Sequence, residues 1–231
     1  MNHFEGKDAL SHVLEKREEI HGSEVPGSLA VALDTASETS LLLLLLYIIL
    51  TTLTSSLFFP LFAFALGWMA WKTGRTCWLG WSRLERLHRL IEQEKYEIEH
   101  HRPQERQELI ALYQSKGFEG QLLQDVVDVL MADSDRLLKV MLEEEMGLTL
   151  ETEDHPLKLG WGTFLGSLSA SILSLLFFYF LPAYGVIIAS FLTLSGSALL
   201  YAWKEKNRLL DALVWNLAVG TLSFGIVYFL L

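Results

Sequence analysis

Glu94 and Glu97 stand three residues apart, Glu105 and Glu108 repeat that spacing, and Met141 is followed by Glu143, Glu144 and Glu145. Residues three apart share a helix face, where like charges repel by a few tenths of a kcal/mol unless a cation lies between them. Two such pairs on helices joined by a short turn could offer several carboxylate oxygens to a divalent metal, with Met141 as a softer thioether donor. The same spacing also describes solvated helix faces, so geometry must decide. A second place for chemistry is the pair Asp34 and Glu38, which borders a long apolar run. An acid inside a membrane span costs about 2.5 to 3.5 kcal/mol on insertion scales and is kept for function. The alternative is an interfacial position ahead of a membrane segment that begins near Ser40. His3, His12, His21, His100 and His101 are left outside the candidate sites. No Ser/His/Asp or Cys/His set, Gly-rich phosphate loop or HExxH pattern occurs, which argues against an enzyme and against a tightly bound cofactor.

The elements that must position these residues are read from charge-free runs. Ser40 to Trp71 and Leu159 to Trp203 contain no Asp, Glu, Lys or Arg. About 20 apolar residues suffice to cross a bilayer, since a helix rises about 1.5 Å per residue. Downstream, Leu159–Leu181 and Ala183–Trp203 are separated by Pro182, and Leu209–Leu231 adds a third span containing Asp211 near its start. Upstream, the segment from Gly27 holds two spans around a turn near Thr51 to Ser56, which places Asp34 within the first. The reading is an all-α membrane protein of five transmembrane helices, with a charged helical insert between the second and third. The segments are 1–26, N-terminal and cytosolic; 27–75, spans one and two; 76–158, the Glu-rich insert; and 159–231, spans three to five.

The basic residues orient it. All 18 Lys and Arg fall in residues 1–26, in the stretch from Lys72 to Lys158, or between Lys204 and Arg208. Lys and Arg favour the cytosolic side, so five spans put the N-terminus and insert in the cytosol and the C-terminus opposite. Trp68, Trp71, Trp78 and Trp81, with Tyr201 and Trp203, form an interfacial aromatic belt. Gly162, Gly166 and Ala170 recur every four residues and invite close helix packing. The net charge of -10 offers no basic patch for nucleic acid, and the single cysteine, Cys77, excludes an internal disulfide framework. The acidic N-terminus lacks the pattern of a cleaved signal peptide, so the first span is expected to be retained.

Within the insert, Leu84, Leu87, Leu90 and Ile91 predict that the second span continues as a helix to about His101, where Pro103 opens the next helix. That helix is expected to run to Ser115 and end at Gly117. Two more follow, one with an apolar face of Leu122, Val126, Val129 and Leu130. The last begins after Ser134, carries Leu137, Leu138, Met141 and Leu142, and stops at Gly147.

The stretch ERQELIALYQSKGF from Glu105 and the stretch MLEEEMGL from Met141 resemble the cytosolic metal-binding domain of the vacuolar iron transporter (VIT) family. The resemblance extends over roughly residues 27 to 231. It implies metal binding by Glu94, Glu97, Glu105, Glu108 and Glu145, with Met141 at the first of two family methionines and Leu142 at the second. Asp34, in VALDT, falls where the family carries an aspartate between two glycines, both absent here. Met69 and Ala70 match a Ser-Met-Ala segment, but Lys72 and Thr73 replace the Gly and Glu that follow it in the family. The resemblance implies a homodimer in the lipid bilayer that exports Fe2+ or Mn2+ from the cytosol by proton antiport, with Asp34 and Met69 on the translocation pathway. The departures at Lys72 and the glycines imply an alternative, a membrane metal sensor or scaffold that keeps the insert without transport.

Overall fold

The structure, a computed structural model, describes residues 25–145 and 154–231, the Glu145 side chain excepted. The expected N-terminal segment therefore lies almost wholly outside the described residues, as does the stop at Gly147. All regular elements among the described residues are helical: α1 (Gly27–Leu53), α2 (Phe58–His100), α3 (Arg102–Ser115), α4 (Gly120–Met131), α5 (Ser134–Val140), α6 (Pro156–Phe180), α7 (Gly185–Lys204) and α8 (Leu209–Leu230). A π-helical turn, Met141–Glu145, extends α5. The chain forms two compact units, divided after Trp78 and before Asp154, and α2 contributes to both.

In the first unit, α1, α6, α7 and α8 are long and apolar enough to cross a membrane. This is one fewer than the five spans expected from the sequence. α2 falls outside the set because it is apolar only from Phe58 to Trp71, beyond which Lys72, Arg75 and the charges of the insert follow on the same helix.

Small residues set how these helices pack. A Cβ on Gly162 would lie 2.2 Å from the Ser28 carbonyl oxygen, and one on Gly166 would lie 2.1 Å from that of Ala32. A step of four residues along α6 thus matches a step of four along α1, so the two helices run parallel at backbone contact. Their ends agree: the Ser28 amide donates to Asp154 Oδ2 (3.1 Å), and the Tyr47 hydroxyl donates to the carbonyls of Pro182 (3.0 Å) and Ala183 (2.8 Å). α2 runs the other way against α1. Leu61 and Ala65 pack with Leu43, Leu44 and Tyr47, Trp68 Nε1 donates to Thr39 Oγ1 (3.1 Å), and Lys72 pairs with Glu38. Further along α2, Cys77 Sγ abuts Gly160 of α6. The turn between these antiparallel helices occupies residues 54–57, at the end of the Thr51–Ser56 stretch.

Lining the contacts of α1, α6 and α7 are buried hydroxyl residues: Thr35, Thr39 and Ser40; Thr163, Ser167 and Ser174; and Ser190. Small hydroxyl side chains let helices approach closely in a lipid environment, and those of Ser40, Thr163 and Ser167 donate to backbone carbonyls of their own helices. Ser190 Oγ does so within α7 to Val186 O (2.8 Å) and lies 3.0 Å from Ser40 O of α1.

In the second unit, Ile98, Leu109, Leu123, Val127, Leu137 and Met141 form one core drawn from α2, α3, α4, α5 and the π-helical turn. The apolar face of α4 differs from the expected one. Leu123 and Val127 are buried, whereas Leu122 and Val129 are exposed. An α-helix with apolar residues at 122, 123, 126, 127, 129 and 130 offers two overlapping stripes. Packing against α3 and α5 selects the 123/127 stripe. Gly117 ends α3 as expected: at φ +89°, it lets its own amide reach Gln114 O (3.0 Å) and the Phe118 amide reach Tyr113 O (3.1 Å), satisfying two terminal carbonyls. Phe118 then meets the Tyr113 ring edge-on at 5.5 Å. Asp133 caps α5, its carboxylate accepting from the amides of Asp135 (3.0 Å) and Arg136 (3.4 Å).

Candidate metal-binding sites

The glutamates of the insert divide by burial. Glu94 precedes Ile98 by one turn of α2, and Glu105 precedes Leu109 by one turn of α3. Since Ile98 and Leu109 share one core, both carboxyl groups are drawn inside with them, leaving Glu94 3% and Glu105 2% exposed. Burying an ionised carboxylate is expensive unless it is partnered, and neither is without a partner. Glu97 is half-buried and accepts from Gln93 Nε2 (3.0 Å), whereas Glu108 is exposed. Each i, i+3 pair therefore contributes one inward and one outward acid rather than two on the same surface.

Met141 is 1% exposed and Leu142 fully buried, so the thioether belongs to the apolar core. Glu144 pairs with Lys116, the residue just past α3, and Glu143 approaches Lys139 (3.8 Å). The Glu145 side chain lies outside the described residues. Among the described residues, no three His, Cys, Asp or Glu side chains come together in a metal-holding group.

In the membrane unit, Asp34 of α1 borders a cavity of about 660 Å³ between α1, α7 and α8. Its polar lining consists of Asp34, Ser37, Ser197, Tyr201 and Asn216, beside Trp215 and small or aliphatic residues. Ser37 Oγ and Ser197 Oγ lie 2.5 Å apart, joining α1 to α7 at the cavity wall. A mostly apolar cavity with a few convergent polar groups is the usual form of a binding site. Met69, half-buried on α2, is not among the lining residues. The sequence pointed to Asp34, but Ser197, Tyr201 and Asn216 gave no signal: single polar residues in apolar helices are common, and only the helix arrangement brings these three to one acid.

On another side of α1, Glu38 pairs with Lys72 of α2, and the ammonium lies 5.9 Å from the centroid of the Trp68 ring. Lys72 is thus partnered with the other acid of the first helix, across the α1–α2 contact. At the end of the bundle where α1 begins, Asp154 accepts from the Ser28 amide and pairs with Lys158. The hydrogen bond from Lys158, aided by the Ser28 amide, holds its carboxyl below the usual aspartate range.

No curated protein matches the chain. A family model does, over residues 80–231, which take in most of the insert and all of α3 to α8 but leave out α1 and the apolar part of α2. Over that range the insert and the three downstream spans are those of the described family, whose members transport ions across membranes and are not enzymes. The chain belongs to the VIT family.

Proposed function

We propose that the protein exports a divalent transition metal, Fe2+ or Mn2+, from the cytosol in exchange for protons, using Asp34 as the membrane carboxylate on the ion's path. The observation that carries this reading is the cavity itself: the one acid among its described lining residues lies within an apolar helix, where a carboxylate is costly and is kept when it serves an ion pathway. A carboxylate can hold either a divalent cation or a proton, which is the exchange an antiporter needs. The insert serves as a collecting site through Glu94, Glu97, Glu105, Glu108, Met141 and Glu145, the set that the family resemblance implies. Met69 enters this reading through the family resemblance alone, because no residue of α2 is among those lining the cavity. The active form is a homodimer.

A five-span arrangement with the insert in the cytosol fits this reading. α1 and α6 are parallel, so the chain must return between them to the end where α1 starts. α2 lies antiparallel along α1 from Leu61 to Lys72 and reaches Gly160 at Cys77. From Phe58 to Trp78 it would rise roughly 30 Å at about 1.5 Å per residue, close to the thickness of a hydrocarbon core. Trp71 and Trp78 are exposed near its charged end, where Lys72 and Arg75 can extend towards headgroups.

One observation favours a second reading. The Lys72–Glu38 pair places a fixed cation beside the first helix, where the family carries no such residue, and a permanently neutralised pathway would leave a metal sensor or scaffold without transport. Metal uptake into proteoliposomes, with and without a pH gradient, separates the two. Gradient-dependent Mn2+ or Fe2+ flux that is abolished by Asp34→Asn supports the antiporter. Absence of flux in the wild type gives the sensor, and undiminished flux in Asp34→Asn removes Asp34 from the pathway.

A further inference from the structure

Opposite Asp34, the cavity wall carries Ser197 and Tyr201 from α7 and Asn216 from α8, and Ser37 stands one turn beyond Asp34 on α1. Every potential ligand among them presents oxygen: one carboxylate, three hydroxyls and one carboxamide. No sulfur lines the cavity among the described residues. Asn216 is half-buried in a helix that is otherwise almost wholly apolar, and an amide facing lipid would be left without partners. In the cavity wall the amide can instead meet a polar ligand.

Two quantities define the ligand. Water takes up about 30 Å³ per molecule, so a cation with six waters needs on the order of 200 Å³, well within the cavity. The described lining residues carry a single formal charge, with the Glu205 carboxylate behind the Tyr201 hydroxyl that bonds to it, too little to strip such an ion completely. Hard divalent cations keep their water and prefer oxygen donors, whereas soft ions gain most from sulfur. Resting on the transport reading above, we propose that Asn216 and Tyr201, with Ser37 and Ser197, complete around Asp34 an all-oxygen site that holds a partly hydrated hard divalent cation, Mn2+ in preference to a softer ion of the same charge such as Cd2+. Asn216 is the specificity-determining residue, because its carbonyl oxygen is the only neutral side-chain carbonyl among the described lining residues.

The test measures binding apart from flux. Mn2+ bound to the full-length protein in detergent is followed by electron paramagnetic resonance, with Cd2+ as competitor, and the cavity component is the part lost in Asp34→Asn. Asn216→Leu should weaken that component about tenfold, the lower end of what loss of a group supporting a metal site costs. Asn216→Met, similar in size but carrying a thioether, should lower the Mn2+/Cd2+ preference by a further factor of about ten. Asn216→Asp should restore or strengthen Mn2+ binding, which separates ligation from packing. Unchanged Mn2+ affinity and Mn2+/Cd2+ preference in both Asn216→Leu and Asn216→Met would overturn the proposal, as would an Asp34→Asn protein that loses no bound Mn2+. A wild type that binds Mn2+ in this way but shows no flux overturns the transport reading alone.

Discussion

At the scale of single residues, the consequence of burial is that chemically identical glutamates have different duties. Glu105 is enclosed by the insert's core, whereas Glu108, on the same helix, faces solvent. Removing a buried, partnered carboxyl leaves a void and an unmatched neighbour, a loss of about 1 to 3 kcal/mol. We therefore expect Glu105→Ala to lower the melting temperature of the detergent-solubilised protein by several degrees and Glu108→Ala to leave it unchanged. If both also lower Mn2+ affinity, the two residues act on one ion. If only Glu105→Ala does, its effect is one of folding, and the exposed acid is a solvated surface group. The i, i+3 spacing could not distinguish these duties, because spacing fixes a shared face and not which part of that face a neighbouring helix covers.

Among elements, the parallel contact of α1 and α6 is the most demanding. A methyl group on Gly166 would fall 2.8 Å from the Ala32 carbonyl carbon and closer still to its oxygen, and backbone cannot move aside as a flexible side chain can. Gly166→Ala should therefore separate the helices and cost about 1 to 3 kcal/mol, seen as a lower melting temperature and a smaller yield of monodisperse protein. Gly196, whose Cβ position is open, provides the control: Gly196→Ala should fold as well as the wild type. The start of the same helix pair makes a pH prediction. The Asp154 carboxyl is held below its ordinary range when folded, so its contribution is fully present above the unfolded value, about 3.9, and is lost as pH falls through the lower folded value. The melting-temperature gap between wild type and Asp154→Ala should be constant near neutral pH and close as the medium is taken below about pH 4. A gap that persists there would mean that Asp154 acts through packing and not through its charge.

For the whole molecule, the count of crossings decides which side each part faces. Reporter fusions after Arg208 and after Leu231 should report opposite sides, and one inserted near Gly117 should agree with Arg208. If Gly117 and Leu231 report the same side, α2 does not cross and the five-helix arrangement is wrong. Much of the architecture was legible beforehand. The charge-free runs, Pro182 and the Lys204–Arg208 cluster marked α6, α7 and α8, and the leucine spacing after Trp81 foretold that α2 continues into the insert. α4 was harder, because six of its apolar residues fit two stripes equally well. The membership of the insert in its family could likewise be read from its glutamates and from MLEEEMGL. What the chain could not specify locally was which distant residues meet. Asp34 stood out as an acid in an apolar helix, because transfer cost depends on residue type and neighbours along the chain. That it looks towards Ser197, Tyr201 and Asn216, while Glu38 one turn later is matched by Lys72, depends on the rotation of α1 against α2, α7 and α8. That rotation is set by backbone contacts at Gly162 and Gly166, which no periodicity in α1 itself encodes.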